Sequence, residues 1–182
     1  GQCIAYSNDR GRTFTPYSGN PVLPMDPPKN GDWDRDPKVY WHEPTHRWVM
    51  AFSIDGKGFV FHSSPDLKHW TREGLFADLW ECPDYFELPV DGKPDQKKWV
   101  IWDASGKYFI GQFDGKNFAK ESGPFLLDYG HNYYAAQTWS NAPDARRVGI
   151  AWLRDGRFPD MPFNGQMGIP FELALRTLPE GV

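Results

Sequence analysis

Three times along this chain of 182 residues an Asp-containing turn leads into an aromatic residue and closes on a glycine. The copies are Ser7-Asn8-Asp9-Arg10-Gly11-Arg12-Thr13-Phe14 closing at Gly19, Ser63-Ser64-Pro65-Asp66-Leu67-Lys68-His69-Trp70 closing at Gly74, and Asp114-Gly115-Lys116-Asn117-Phe118 closing at Gly123. The aromatics are 56 and 48 residues apart and the glycines 55 and 49. A signature returning about every fifty residues means a repeated structural unit, which constrains the fold more tightly than any single segment does.

The stretches between the copies predict what the unit is. Short runs rich in β-branched and aromatic residues, bounded by turn residues, fall at 37–42, 48–53, 58–63 and 69–72, and again at 83–88, 98–103, 107–113 and 117–120. A third series begins at Tyr133, continues over 148–152 and ends in a strand over 170–177. Four strands per unit of about fifty residues is a propeller blade. The expected fold is therefore all-β, a partial propeller of three to four blades. Residues 1–19 end a first blade, 20–74 form a second, 75–123 a third and 124–182 most of a fourth. Too few blades to close leave exposed sheet edges, so the chain reads as a piece of a larger propeller whose missing blades are its first partners. An open stack of sheets, complete as written, is the alternative.

Composition agrees and excludes several function classes. With 18 Gly and 17 Pro, no long stretch is free to run as a helix, and nine Trp exceed what a small core needs. Strand filling accounts for most of them, with sugar stacking as a use for the surplus. The net charge of −4 has no basic block, which argues against nucleic acid, and no apolar run approaches a membrane span. The start, Gly1-Gln2-Cys3, has neither a signal-peptide pattern nor an initiator Met, so the chain reads as an excised piece or a mature product, and its localisation is not encoded. Two cysteines, Cys3 and Cys82, make no disulfide framework and are read as free thiols.

Two motifs can be set aside on physical grounds. His42-Glu43-Pro44-Thr45-His46 has the H-E-x-x-H spacing of a helical zinc site, but Pro44 and the flanking strands make it a hairpin turn, so no metal and no cofactor is expected. The Ser7 to Phe14 turn is structural, its Ser and Asp side chains bonding their own backbone. The chemical candidates are Asp36 and Glu81, in Arg35-Asp36-Pro37-Lys38-Val39-Tyr40 and, 46 residues on, Glu81-Cys82-Pro83-Asp84-Tyr85-Phe86. A proline at the first residue of a strand costs no ladder bond, so each segment reads as a strand entrance carrying a carboxylate, at corresponding positions of two repeats. Around an axis the two acids would converge, the arrangement that glycoside hydrolysis needs. Local bonding of each acid to turn N–H groups, Arg35 or Lys38 is the plainer alternative.

These motifs resemble those of glycoside hydrolase family 32, which holds invertases, levanases and inulinases. Arg35-Asp36-Pro37 looks like its R-D-P motif and Glu81-Cys82-Pro83-Asp84 its E-C-P motif, in the family's order, with support from Tyr133-Tyr134-Ala135-Ala136-Gln137-Thr138, Ile150-Ala151-Trp152 and Pro162-Phe163-Asn164-Gly165-Gln166-Met167. The resemblance implies a five-bladed propeller that acts on terminal β-fructofuranosyl bonds of sucrose, levan or inulin by double displacement. Glu81 matches the acid/base and Asp36 the transition-state stabiliser, with Arg35, Cys82, Tyr134 and Trp152 as substrate-binding neighbours. An extracellular or periplasmic setting would suit a fructan-degrading enzyme. The family's nucleophile, the Asp of a Trp-Met-Asn-Asp-Pro-Asn-Gly-like motif, has no match; Pro24-Met25-Asp26-Pro27-Pro28 is the nearest string. The nucleophile is therefore expected upstream of Gly1 and the chain alone is expected to be inactive. The alternative function is a non-catalytic carbohydrate-binding propeller with the same pocket.

Overall fold

The computed structural model describes residues 1–24 and 34–182, so Met25 and Asp26 lie outside the described residues. Apart from two 3₁₀ turns, Glu43–Thr45 and Pro143–Ala145, the regular structure of the described residues is all strand. A short pair, β1 (Ala5–Tyr6) with β2 (Thr15–Pro16), precedes two four-stranded antiparallel meanders. The first is β3 (Asp34–His42), β4 (Arg47–Ile54), β5 (Gly58–Ser64) and β6 (Thr71–Phe76); the second is β7 (Asp84–Val90), β8 (Lys93–Trp102), β9 (Lys107–Phe113) and β10 (Phe118–Leu126). In the last sheet β11 (Tyr133–Trp139) pairs with β12 (Arg147–Leu153), whose other edge takes β13 (Gln166–Met167) and β14 (Phe171–Leu173).

The observed strands depart from the predicted ones for identifiable reasons. The outer strands β6 and β10 run past the expected ends because Gly74 and Gly123 do not close them. Both glycines lie within the strands at register shifts, between Val60 and His62 pairing in the first sheet and between Ser122 and Phe125 in the second. Pro37 is not the first residue of its strand either. It sits inside β3, at a bulge where no ladder bond is asked of its nitrogen. The strand expected over 170–177 is shorter, β14 over Phe171–Leu173, with Leu175 forming a separate parallel bridge to Val90, and β13 at Gln166–Met167 is an addition to the expected strands.

Alternation along the central strands explains the layering. In β4, Val49 and Ala51 face the second sheet while Met50 and Phe52 pack on the opposite side with Val60. In the second sheet Tyr85, Trp99, Ile101 and Phe109 face the first sheet, and their neighbours Phe86, Val100, Trp102 and Ile110 face the third. A sheet covered on both faces needs near-continuous apolar runs, and Trp99-Val100-Ile101-Trp102 supplies one. Polar handles tie the layers together: Tyr85 Oη donates to Val49 O at 2.7 Å, and Trp102 Nε1 to Ala136 O at 3.2 Å. Stacked four-stranded sheets with their first strands side by side are the blades of a propeller.

Candidate active site

The first strands of the three larger sheets begin at the same place, with a left-handed residue near the start of β3 and β11 and just ahead of β7. Asp36 has φ 60°, Cys82 49° and Ala135 51°. At β3 the register runs from Arg35 opposite Ser53 to Lys38 opposite Ala51, three residues against two, and β11 repeats this from Tyr134 opposite Trp152 to Gln137 opposite Ile150. These are β-bulges, in which one extra residue on the strand turns side chains three apart to the same side. The three tips therefore present two tiers, Arg35, Glu81 and Tyr134 above Lys38, Asp84 and Gln137.

This register corrects one expectation. Asp36 and Glu81 do not occupy corresponding repeat positions; Glu81 corresponds to Arg35 and Asp36 to Cys82, each pair 46 residues apart. The two acids are brought together all the same, because Arg35, next to Asp36, pairs with Glu81 while Cys82, next to Glu81, bonds Asp36. Asp36 Oδ2 accepts from Cys82 N at 3.1 Å and lies 3.7 Å from Cys82 Sγ. Glu81 Oε1 accepts from Arg35 Nη2 at 2.5 Å, and Glu81 Oε2 accepts from Tyr134 Oη in a short bond. Arg35 also pairs through Nη1 with Asp55, and its Nε is 3.6 Å from Asp36.

The segment 81–83 is held by residues from all three sheets. Glu81 N donates to Ser53 Oγ at 3.0 Å, Glu81 O accepts from Ala104 N at 3.0 Å, and Cys82 O accepts from Gln137 Nε2 at 3.2 Å. With Cys82 N bonded to Asp36 and no N–H on Pro83, every backbone donor of the segment is accounted for. That matters because Glu81, at φ 47°, and Cys82 are both left-handed without being glycine, at a cost of about 1–3 kcal/mol each. Burying one Phe or Tyr side chain contributes roughly 1.5–3 kcal/mol, so the packed layer behind the tip is of the size needed to hold the strain.

Electrostatics follow from this frame. Three carboxylates, Asp36, Asp55 and Glu81, surround the single Arg35 guanidinium, and all four side chains are between 22% and 39% exposed. Burial pushes the Glu81 carboxyl up, but the bonds from Tyr134 and Arg35 together outweigh it and leave it below the ordinary glutamate range. The donors at its two oxygens thus set the direction. Burial, with Asp36 beside it, pushes the Cys82 thiol up to about 12, so it stays protonated and can donate to Asp36. Both Cys3 and Cys82 are free thiols.

Aromatic rings border the acids. Tyr134 meets Trp80 edge-on at 6.2 Å and Trp152 at 6.4 Å, while the Arg154 guanidinium lies 3.9 Å over its ring. Trp80 and Trp152 are both exposed, and a hollow lined by Arg154, Asp155, Arg157 and Asn164 opens beside them. The two histidines of the H-E-x-x-H string share no site. His42 is buried against Trp99 and Phe113 and bonded to Thr45 Oγ1, whereas His46 stands in solvent.

Residues 1–181 match the model of the glycosyl hydrolases family 32 N-terminal domain. The chain belongs to this family. Among family 32 proteins it is 42% identical to a levanase of Bacillus subtilis (strain 168), covering 100% of this chain and 30% of that protein. It is 40% identical to an extracellular exo-inulinase of Meyerozyma guilliermondii over 88% of this chain and 34% of that one. Of solved structures, a fructofuranosidase from Schwanniomyces occidentalis complexed with fructosylnystose superposes with a TM-score of 0.86 at 29% identity, over 97% of this chain and 38% of its own. The exo-inulinase from Aspergillus awamori gives 0.84 at 31%, over 97% and 41%. The chain thus spans about a third of the length of these family 32 relatives and forms part of their five-bladed propeller.

All six residues singled out in the sequence, Arg35, Asp36, Glu81, Cys82, Tyr134 and Trp152, come together at the strand tips. Sequence reasoning missed Ser53, Asp55, Lys38, Asp84 and Gln137. The last three stand two residues after the left-handed position in each tip, so aligning the tips on their prolines and Ala136 would have brought them into register. Ser53 and Asp55, on β4 and its turn, carry no such signal.

Proposed function

We propose that this chain is part of a retaining β-fructosidase, with Glu81 as acid/base and Asp36 as the carboxylate that stabilises the transition state. The observation that carries the reading is the pairing of the two acids through Arg35 and the Cys82 amide, at the meeting point of three blades. Glu81 protonates the oxygen of the leaving group and then serves as base toward water or a sugar acceptor. Asp36, fixed by the Cys82 N–H, holds fructosyl hydroxyls and opposes the positive charge that develops on the ring. Tyr134 and Arg35 keep Glu81 oriented. A sugar ring that displaces water and an attacking carboxylate nearby would raise the Glu81 pKa from its resting position, which protonation of a leaving group requires.

The attacking carboxylate lies outside this set, because the family's nucleophile motif has no match in the sequence, and residues 1–182 by themselves should release no fructose. The names of the relatives, levanase, exo-inulinase and invertase, support sucrose or β-fructans as the substrate class and, for the exo-inulinase, an extracellular setting. Trp80 and Trp152, exposed beside Tyr134, would offer rings on which a sugar can stack. In the full-length protein, Glu81→Gln should cut kcat for sucrose and fructan hydrolysis by about a thousandfold. A rate within a few-fold of wild type would remove Glu81 from the mechanism, and fructan binding without release by the wild type would favour a sugar-binding propeller.

A further inference from the structure

Below the tier that holds Glu81 lies a charge pair, its carboxylate fully buried and its lysine partly exposed, that the proposed chemistry does not use. The Asp84 side chain is 0% exposed, and its Oδ2 accepts from Thr138 N at 2.6 Å and Thr138 Oγ1 at 2.8 Å. Its Oδ1 faces Lys38 Nζ at 3.2 Å, a charge contact off the line of a directed hydrogen bond. Lys38 Nζ goes on to donate to Thr138 O at 3.0 Å and Gln137 Oε1 at 3.2 Å. Gln137 Nε2 in turn donates to Cys82 O and Pro83 O. One network therefore joins β3, β7 and β11 just beneath Asp36 and Cys82, with partners up to 100 residues apart.

A buried ion pair is a poor stabiliser. Replacing it by apolar groups of similar volume often leaves stability equal or better, whereas removing one partner strands a charge. What such a pair supplies is direction, a fixed lateral distance between the elements it joins. Here that distance separates the strand carrying Asp36 from the segment carrying Glu81. We infer that Lys38 and Asp84, relayed by Gln137, are positioning residues that set the alignment of Asp36 with Glu81. The inference rests on the roles proposed for those two acids. Because Lys38 is two residues from Asp36 and Asp84 three from Glu81, a change in their spacing passes to the acids through very little chain, and a misplacement of about 1 Å can cost roughly a hundredfold in rate.

The test uses the full-length protein in a background where Cys82 is the remaining thiol. The Lys38→Met/Asp84→Leu double variant removes both charges together. It should still fold, with a Tm lowered by the two hydrogen bonds that Thr138 loses, while kcat on a fructan falls by at least about tenfold, with KM within about threefold. Alkylation of Cys82, whose amide and thiol contact Asp36, should accelerate by a similar factor as the tips lose register. A folded double variant with unchanged kcat, or with KM raised and kcat kept, overturns the inference. If the double variant does not fold, Gln137→Met removes the relay while leaving the ion pair, and an unchanged kcat there overturns it equally. If the parent cleaves no fructoside, the proposed function fails, and the Cys82 rates alone decide whether the network positions the tips.

Discussion

Carboxylates stand at both ends of these blades and do opposite things. In the outer turns each Asp is satisfied by its own neighbours. Asp9 accepts from Arg12 N, Thr13 N and Thr13 Oγ1, Asp66 from Lys68 N, His69 N and His69 Nδ1, and Asp114 from Lys116 N and Asn117 N, all within four residues. At the strand tips the hydrogen-bond donors to Asp36 and Glu81 and the partners of Asp84 are 46 to 54 residues away, on other sheets, Asp36 having besides the charge contact with its neighbour Arg35. A carboxylate that bonds its own turn shapes that turn. Those held by distant donors mark a place where strands converge, and of these Asp36 and Glu81 keep an edge facing solvent where a ligand can sit while Asp84 is buried beneath them. The difference separates acids that build the fold from acids available for chemistry.

The comparison can be broken from the tip side first. Asp36→Asn keeps the shape of the side chain and removes the charge, and should lower kcat by about two to three orders of magnitude with the fold intact. A near-normal kcat would place Asp36 among the structural acids. Tyr134→Phe should act more gently and carry a pH signature. The Tyr134 hydroxyl bonds the ionised form of Glu81, so removing it raises the pKa of Glu81 in the folded protein. The alkaline limb of kcat/KM, which reports loss of the acid's proton, should move to higher pH; a limb that stays or moves down would count against Glu81 as the acid.

The smallest effect is expected at the outer turns. Asp9→Asn should leave kcat and KM unchanged. Hydrogen bonds from Thr13 and Ser7 hold the Asp9 carboxyl at about 2, below its ordinary 3.8. A depressed pKa means that the folded state binds its proton later than the unfolded one. The stabilisation is therefore complete above about pH 4 and lost as pH falls toward 2. Thermal melts between pH 2 and 5 should show a shallower acid limb in the variant, and a change in kcat instead would blur the distinction between the two ends.

The same contrast explains what could be read in the sequence. The outer turns repeat because their bonds are local, so Ser7 to Phe14 and Ser63 to Trp70 announced a repeating unit, and the apolar runs between them announced strands. The strand-tip motifs were legible as motifs, but their alignment was not. Reading Asp36 against Glu81 followed the likeness of residue type, whereas the bulges align Asp36 with Cys82. Asp55, Ser53 and the Lys38 to Asp84 pair depend on how the sheets face one another, which no window of sequence contains. The lowered resting pKa of Glu81 has the same origin, since Tyr134 Oη and Arg35 reach it from other sheets.

The bulges at Asp36 and Ala135 give the strand tips a memory for residue count rather than residue kind. Substituting Pro37 or Ala136 alters the packing at one point, whereas deleting either would carry Arg35 or Tyr134 to the opposite face, as a dropped letter shifts every word after it. Family members can thus be expected to keep the spacing of these tips while insertions and deletions collect in the connecting loops. Anyone grafting these tips into another propeller would do well to preserve their length before their letters.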